Sequence, residues 1–342
     1  MNKDQTPALP LHIMEQRWRN AEARLVLGVE GDAEQTLAVA LDLAAPALHI
    51  GRAGPSNVDS VGAQSAVHAV EVAADAAIAR AGCSGGDVSS AVIAVSGTDT
   101  ASLSGHFDRS RGPHWMVVSD AVAAWAASSG IAAGVAAVAH VGSAAFGMGL
   151  DASTWHVGGW GPVLDDEGSG FWLGDSAIRA VLHDRDGSGP ETALSDLVPQ
   201  FFSLPDIEAV ASAVYKKSLT NSDVARLSTE VGRLAMDGDA AARRICMQGA
   251  ADLVGQIVTV ATHTGLTDDL AVGLTGSAVA ESTHYRDFVF AEIADKLPRA
   301  HATLIGMEPV GGSLLLAAHA CNHDDAVTGE SFRELLVGHA LA

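Results

Sequence analysis

The sequence predicts an α/β protein with two related halves that flank a cleft. Its 342 residues are long for one hydrophobic core and suit two domains. Strands, a hairpin, a helix and an acid at a strand end occur in that order up to Asp120. Strands at 135–139, 144–150 and 154–157 begin the pattern again, so we predict a boundary between the halves within residues 121–134.

The amino-acid composition limits the classes of partner that the protein can bind. Hydrophobic residues make up 48% of the chain and support a well-buried interior. The 41 acids against 20 bases give a formal charge of -21, which repels nucleic acid and anionic membranes. We therefore expect neither as a partner. This acidity is compatible with a cationic ligand, but solubility explains it as well.

Cysteine usage and hydropathy predict a cytoplasmic protein. Cys83, Cys246 and Cys321 lie far apart without metal-ligand spacing, which indicates free thiols in a reducing compartment. The first residues, MNKDQTPALPLHIMEQRWRNAEA, lack the apolar core of a signal peptide. No run reaches the roughly 18 apolar residues of a membrane span.

The first half is predicted to follow a polar tail or arm at residues 1–22 and to occupy residues 23–122. Two aliphatic runs separated by a short polar loop indicate a hairpin near its start. The predicted elements are strands at 25–29, 36–43, 47–50, 91–95 and 114–119 and a helix at 58–81.

Asp120 ends the last of these strands and precedes a predicted helix at 121–128. Acids at the carboxyl edge of a parallel strand lie where α/β proteins bind their ligands. A simple helix-capping role is the alternative.

The second half is predicted to occupy residues 123–308 and to include a helical insertion. Helical spacing of apolar residues occurs at 171–182, 207–219, 222–236 and 240–264, and strands are predicted at 270–274 and 303–305. The segment 309–342 is predicted to begin with a helix that packs back on the first half.

The most informative stretch runs from Gly158 to Pro190 and opens GGWGPVLDDEGSGFW. Asp165, Asp166 and Glu167 follow a glycine-rich turn. Grouped carboxylates of this kind suit a site that grips hydroxyls, an amine or a metal. Trp160 beside them favours a sugar. A solvated acidic turn before a helix, stabilised by the helix dipole, is the alternative.

The run GGWGPVLDDEGSGFWLGDSAIRAV resembles the signature of the N-acetylglucosamine kinase and BadF/BadG/BcrA/BcrD ATPase family. The usual form of that signature is close to GGWGxLLGDEGSxxWIGxxAL. Weaker matches extend from about Leu25 to about Ala320. The resemblance implies the actin-like (ribonuclease H-like) sugar-kinase ATPase fold. Within the family, the chain is most similar to actinobacterial glucosamine kinases.

This resemblance implies an ATP-dependent hexosamine kinase that uses Mg²⁺ and phosphorylates the 6-hydroxyl of its sugar. It makes Asp120 the catalytic base. The predicted sugar-binding residues are Asn57, Gly159, Trp160, Asp165, Asp166 and Glu167. The predicted nucleotide-binding residues are Gly31, Asp32, Thr36, His140, Gly142, Ser143, Gly276 and Ser277. Glu30 and Asp32 are the candidate magnesium ligands. A homodimer is a further expectation.

Two departures from the family pattern keep other functions open. The first phosphate loop reads EGDAEQT, from Glu30 to Thr36, where the family has DGGGTKT. Its added acids repel phosphate unless they face away or bind a cation. The second loop reads HVGS where the family has GTGS. A non-catalytic sugar-binding or regulatory protein is therefore one alternative. A partner-activating ATPase is another, although the cluster-ligating cysteines of such proteins have no counterpart here.

Asp165 replaces the glycine that precedes DEGS in the family. An additional carboxylate at the sugar wall favours a free 2-ammonium group over a neutral acetamido group. The sequence therefore predicts glucosamine as the preferred substrate. N-acetylglucosamine is the alternative if Asp165 faces solvent.

Overall fold

The computed structural model describes residues 24–44, 47–266 and 269–323 of the chain. Its strands form two five-stranded sheets. The predicted N-terminal tail and the chain beyond residue 323 lie outside the described residues.

The first sheet has the order β3-β2-β1-β4-β5. The first three strands are antiparallel neighbours, which confirms the predicted hairpin, and β4 and β5 add in parallel. Helices cover both faces of the sheet, which explains why the strands read as continuous aliphatic runs. Its strands are β1 (Leu25–Gly31), β2 (Thr36–Asp42), β3 (Leu48–Ala53), β4 (Val88–Val95) and β5 (Trp115–Ser119).

The second sheet repeats this arrangement with the order β10-β9-β6-β7-β8. Again three strands form an antiparallel meander and two further strands add in parallel to its first strand. The predicted repeat of one α/β pattern is therefore confirmed in the topology. The strands are β6 (Gly134–Ala139), β7 (Ser143–Met148), β8 (Thr154–Gly158), β9 (Ala271–Thr275) and β10 (His301–Leu304).

The helices of the first half and the connection to the second are α1 (Val58–Val61), α2 (Ala63–Arg80), α3 (Thr100–Ser110) and α4 (Asp120–Ser129). Those that follow are α5 (Gly170–Arg185), α6 (Leu194–Phe201), α7 (Ile207–Tyr215), α8 (Asn221–Ala225), α9 (Ser228–Met236), α10 (Ala240–His263), α11 (Ser277–Ala280), α12 (Thr283–Lys296) and α13 (Pro309–Ala320).

Several helices differ from the sequence prediction. The predicted helix 58–81 is broken at Gly62, whose φ of 79° and ψ of 155° are not helical. The predicted helix 222–236 is divided into α8 and α9. Helices α3, α6 and α12 were not predicted. In α3 only Leu103 and Phe107 are buried, so its apolar periodicity is weak.

Helices α4 and α13 lie between the two sheets and share one hydrophobic core with them. Close backbone approach fixes this layer. A Cβ at Gly28 of β1 would lie 2.6 Å from the amide nitrogen of Leu314 in α13. A Cβ at Gly312 would clash with the carbonyl of Ala123 in α4. The C-terminal helix thus packs on the central strand of the first sheet and on the helix that follows Asp120.

Helix α10 is the one helix within the described ranges that is long and apolar enough to cross a membrane by length and composition. Its mean hydropathy is 1.2 over an 18-residue stretch, and 56% of that stretch is buried inside the protein. The buried side chains pack against the second sheet and the helices around it, as in the core helix of a globular domain.

Candidate active site

Turns from both halves of the chain bring several predicted site residues together in a region that we call the cleft. His140, in the β6–β7 turn, connects them. Its Nδ1 lies 2.6 Å from Oγ of Ser277, at the start of α11. Its Nε2 lies 3.7 Å from Oδ2 of Asp32, in the β1–β2 turn. The two halves of the chain therefore face each other through charged and polar side chains at this point.

Asp120 follows β5 and is the first residue of α4. Its Oδ1 accepts a hydrogen bond from the N–H of Ala121, at 2.8 Å. Burial raises the pKa of Asp120 to about 6, although this hydrogen bond and the neighbouring His140 act in the opposite direction. A carboxylate with a pKa just below neutrality is ionised at pH 7 and is more basic than an ordinary aspartate, which suits a general base.

The carboxylate of Asp32 accepts hydrogen bonds from backbone N–H groups of its own turn, between β1 and β2. Oδ1 of Asp32 accepts the N–H of Glu34 at 2.6 Å and the N–H of Gln35 at 2.9 Å. Burial acts against its ionisation, but His140 and these amides outweigh it and hold the pKa of Asp32 below its ordinary value. Backbone N–H groups in such a turn are the donors that a phosphate would use. Here the Asp32 carboxylate already occupies them.

Glu30, the penultimate residue of β1, has the largest pKa shift among the acids of the cleft. Burial raises its pKa to about 8, and the negative charges of Asp32, Asp120 and Glu308 add to the effect. His140 opposes it only in part. Such a group is neutral in the ligand-free protein at pH 7 and would ionise beside a cation.

The described residues alone do not build a complete metal site. Across residues 24–44, 47–266 and 269–323, no three His, Cys, Asp or Glu side chains converge as a ligand set. Of the two predicted magnesium ligands, Asp32 is held by backbone amides and faces His140. Glu30 is the better placed of the pair.

The surroundings of His140 favour its charged form. Burial opposes its protonation, but the hydrogen bond and the charge of Asp32, with those of Glu34 and Glu30, raise its pKa above the ordinary value. Its partner Ser277 follows Gly276, which packs against the backbone of Ala139 so closely that a Cβ would not fit. His140, Gly276 and Ser277, all predicted nucleotide contacts, are thus brought together.

Ser143 joins the β6–β7 turn to the acidic turn. Its N–H donates to Oδ1 of Asp166 at 3.0 Å, and its hydroxyl donates to the carbonyl of Glu167 at 2.9 Å. A Cβ at Gly142 would lie 2.9 Å from Oδ1 of Asp166. Ser143 is only 3% exposed, so its hydroxyl is occupied inside the protein instead of facing a nucleotide.

Asp166 lies on the acidic turn and is largely buried. Its side chain is 4% exposed, and its φ is 71°. Burial raises its pKa to about 6 against the hydrogen bond from Ser143, and the charges of Asp165, Asp120 and Glu167 add to the rise. One carboxylate oxygen is engaged by Ser143, which leaves the other for a ligand.

The glycine-rich turn before the acids is built around three glycines with positive φ, Gly158, Gly159 and Gly161. Asp165 stabilises it. Oδ2 of Asp165 accepts the N–H of Trp160 at 3.1 Å, and its own N–H donates to the carbonyl of Gly161 at 2.9 Å. Trp160 is 68% exposed and presents its ring at the lip of the cleft.

Two residues of the first half have structural roles that limit their predicted ones. Asn57 donates to Oγ of Ser96 at 2.9 Å and accepts the N–H of Ser60 at 3.1 Å. Asn57 is therefore the N-cap residue of α1. Thr36 is fully buried, and its hydroxyl donates to the carbonyl of Gly54 at 2.7 Å.

Gly31 lies beneath the same loop, where a Cβ would clash with Oγ of Ser56. The carbonyl of Asp32 accepts the N–H groups of Ser56 and Asn57, both at 2.9 Å. Gly31 and Thr36 therefore position the loop that carries Asn57. Neither brings a side-chain donor to the cleft.

Sequence reasoning missed several residues that hold the site together. Gln256 of α10 donates to Oγ of Ser143 at 3.1 Å. Tyr285 of α12, which is fully buried, donates to the carbonyl of Gly168 at 2.9 Å. His156 of β8 has a buried Nε2 without a hydrogen-bond partner among the described residues. Such residues belong to no local motif; the one available signal was a polar residue within an apolar helix face.

Comparison with known proteins identifies the family. The profile of the BadF/BadG/BcrA/BcrD ATPase family matches residues 27–317. The chain belongs to this family. The family predicted from the acidic signature is thereby confirmed.

Two curated relatives are similar along much of the chain. An N-acetylmuramic acid/N-acetylglucosamine kinase from Clostridium acetobutylicum is 24% identical over 305 residues, which are 87% of this chain and 100% of the relative. An N-acetyl-D-glucosamine kinase from Dictyostelium discoideum is 27% identical over 211 residues, which are 60% of this chain and 66% of the relative.

A solved structure shares the fold. It is that of a provisionally assigned N-acetylglucosamine kinase from Chromobacterium violaceum. The TM-score is 0.68 at 23% identity, and the match covers 86% of this chain and 99% of that one. With the repeated sheet topology, this similarity confirms the predicted actin-like sugar-kinase fold with its two related halves.

Proposed function

We propose that this chain is an ATP-dependent sugar kinase that transfers the γ-phosphoryl group of ATP to the 6-hydroxyl of N-acetylglucosamine. The observation that carries the proposal is Asp120. Its carboxylate is made more basic by burial and lies near enough to His140 and Asp32 for their charges to act on it. The names of the curated relatives, both sugar kinases, support catalysis over a purely sugar-binding role.

In the proposed reaction, Asp120 orients the sugar hydroxyl and accepts its proton. The hydroxyl oxygen forms a bond to the γ-phosphorus as the bond from that phosphorus to the bridging oxygen of ADP breaks. With a pKa of about 6, roughly nine-tenths of Asp120 is ionised at pH 7. Phosphoryl transfer depends mostly on positioning and charge stabilisation, so one oriented base suffices for the proton.

The phosphates require positive charge from elsewhere in the cleft. Asp32 occupies the amides of the β1–β2 turn, so we assign the phosphates mainly to the β6–β7 turn. His140 lies in that turn, and its neighbouring acids raise its pKa, which favours the charged form that pairs with phosphate. Ser277, within hydrogen-bond distance of His140, would reach the same oxygens.

The acidic residues of the cleft fit a magnesium ion. Glu30 has a strongly raised pKa because its carboxylate is buried near other acids, and a divalent cation would relieve that repulsion. Glu30 would hold the ion, and phosphate oxygens and water would complete its shell, as magnesium usually requires. When bound, the ion offsets the charge that develops on the transferred phosphoryl group.

The sugar is proposed to lie against the glycine-rich turn, with Trp160 at its edge and Glu167 and the free oxygen of Asp166 toward its hydroxyls. The predicted preference for glucosamine depended on Asp165 as a partner of a free amine. That carboxylate accepts the N–H of Trp160 and so shapes the turn. Both curated relatives are named for N-acetylated sugars, which supports N-acetylglucosamine as the substrate. The need for ATP supports a cytoplasmic location.

A coupled assay of ADP release tests the proposal. Wild type should turn over N-acetylglucosamine with ATP and magnesium, and Asp120→Asn should lose nearly all of this turnover. Asp151→Asn is a matched control, since Asp151 is an exposed acid in the β7–β8 turn; it should behave as wild type. Wild type without activity on N-acetylglucosamine, or an active Asp120→Asn, would contradict the proposal.

A further inference from the structure

Gln256 is a buried polar residue in an apolar environment. It lies in the middle of α10 and is 8% exposed, while Leu253, Ile257 and Val260 on the same helix are fully buried. Burial of a primary amide costs free energy unless its polar atoms find partners. Packing alone would favour an aliphatic residue at this position. The partner of the amide therefore indicates why glutamine is useful there.

The amide of Gln256 fixes the direction of a hydrogen-bond chain. Its Nε2 donates to Oγ of Ser143 at 3.1 Å, and Oγ of Ser143 donates to the carbonyl of Glu167 at 2.9 Å. A serine hydroxyl has one proton. Because Gln256 fills an acceptor position of that hydroxyl, the proton is directed to Glu167.

The backbone of Ser143 continues the connection. Its N–H donates to Oδ1 of Asp166 at 3.0 Å, and its carbonyl accepts the N–H of Gly159 at 2.9 Å. Ser143 therefore contacts the two acids and the glycine turn of the sugar wall while belonging to the turn assigned to the phosphates. Gln256 is the one side chain outside these turns that donates to Ser143 in the described part of the chain.

The acceptor end of Gln256 strengthens this interpretation. Its Oε1 is buried without a hydrogen-bond partner among the described residues. A Cβ at Gly158, the first glycine of the sugar-wall turn, would lie 3.0 Å from Oε1. The amide thus fills the space between Ser143 and Gly158, so movement of either turn is transmitted to the other.

We propose that Gln256 is a positioning residue that couples the sugar wall to the phosphate turn through Ser143. The inference rests on the proposed function. A sugar that holds Glu167 and Asp166 would restrain Ser143 through its hydroxyl and its N–H, and Gln256 keeps that hydroxyl in the required direction. Bound sugar would then preorganise the β6–β7 turn for nucleotide, and the effect is reciprocal.

The test measures binding of the magnesium complex of AMP-PNP by calorimetry, without and with saturating N-acetylglucosamine. The ratio of the two dissociation constants is the coupling factor. We expect at least about 5 for wild type, at the low end of measured allosteric couplings. Gln256→Met removes the donor at similar volume. Gln256→Glu keeps the size but accepts the Ser143 proton, which draws it away from Glu167. Both variants should have a coupling factor close to 1.

Ile257→Val is the matched control, because it removes one methylene from the adjacent, fully buried position without contact to Ser143. It should retain the wild-type coupling factor. The double variant Ser143→Ala/Gln256→Met should couple no more weakly than Ser143→Ala alone, since both act through one hydroxyl. Thermal unfolding shows whether each variant is folded. If Gln256→Glu does not fold, the test uses Gln256→Met alone.

Three results would overturn the inference: a wild-type coupling factor of 1, a wild-type factor in Gln256→Met, or an equal loss in Ile257→Val. Turnover of N-acetylglucosamine by wild type is scored separately. Absence of turnover counts against the proposed function, whereas the comparison of coupling factors concerns Gln256 alone.

Discussion

Replacement of Asp120 by asparagine should abolish turnover and stabilise the fold at the same time. In the folded protein the pKa of Asp120 is about 6, against 3.8 for the ordinary group. A difference of roughly 2 units corresponds to about 3 kcal/mol between the protonation states. Because the folded-state pKa is raised, the folded protein binds this proton more tightly than the unfolded chain does. The contribution to stability is full below pH 3.8 and is lost as pH rises through about 6.

Asparagine stays neutral at every pH and can still accept the N–H of Ala121. Asp120→Asn should therefore increase the free energy of unfolding by up to ~3 kcal/mol at pH 8, by about half of that at pH 5, and by about a fifth of it near pH 4. The chemical step should slow by ~10²–10⁴, the usual contribution of a general base.

Urea unfolding of wild type and Asp120→Asn at pH 5 and pH 8, together with kcat at pH 8, measures both effects. Asp151→Asn is the control, since Asp151 is exposed and its replacement should give no such gain. A variant that is less stable than wild type at pH 8 would refute the burial argument. A kcat near the wild-type value would refute the role as base.

Three further predictions concern the acids of the cleft. The kcat/KM for the sugar should fall as pH decreases through about 6, because Asp120 and Asp166 both take up protons there and titrate as a coupled pair; a flat profile from pH 5 to 8 would contradict this. Binding of ATP with magnesium at pH 7 should release a proton from Glu30, whose pKa is about 8 when free. Calorimetry in buffers of different ionisation enthalpy detects the released proton, and Glu30→Gln should abolish this release. Equal ATP affinity with and without a chelator would argue against a bound magnesium ion. Asp165→Gly should raise the KM for sugar, because the turn loses its bond to Trp160, and leave the ratio of kcat/KM for N-acetylglucosamine and glucosamine unchanged; a shift of that ratio toward the acetylated sugar would restore Asp165 as an amine partner.

The sequence was sufficient for the parts of the fold that local pattern determines. Aliphatic runs located the strands of both sheets, and the acid after β5 located Asp120 at the start of α4. The repeat of strand order was visible because each half uses the same succession of meander, helix and parallel strands. Helix α3 escaped prediction because only Leu103 and Phe107 of it are buried, and a two-residue apolar signal is too weak to recognise.

The sequence indicated several of the turns that the structure brings together, but much less of how their side chains are arranged. The letters DDE give no indication that Asp166 is buried against Ser143, or that Asp165 holds the N–H of Trp160. Thr36 matches a family position, yet its hydroxyl points to Gly54. Gln256 comes from a helix more than a hundred residues away from Ser143. Contacts of this range depend on tertiary packing, which no local window contains.

The loop departures acquire a physical meaning in the structure. The Asp32 side chain fills the amide donors of its own turn, and His140 faces that carboxylate from the other half. The acid introduced in one loop is thus opposed by the histidine introduced in the other. Each loop read alone indicates only that its acids repel phosphate, because the sequence does not show that His140 faces Asp32.

Phosphorus NMR of the product tests the central claim most directly. The protein is incubated with ATP, magnesium and N-acetylglucosamine, and the new phosphomonoester signal is correlated with the sugar protons. We predict one product, with the phosphorus coupled to the two protons on carbon 6, and an equal amount of ADP. ATP that stays intact, or ADP that forms with inorganic phosphate and no sugar phosphate, would contradict the account.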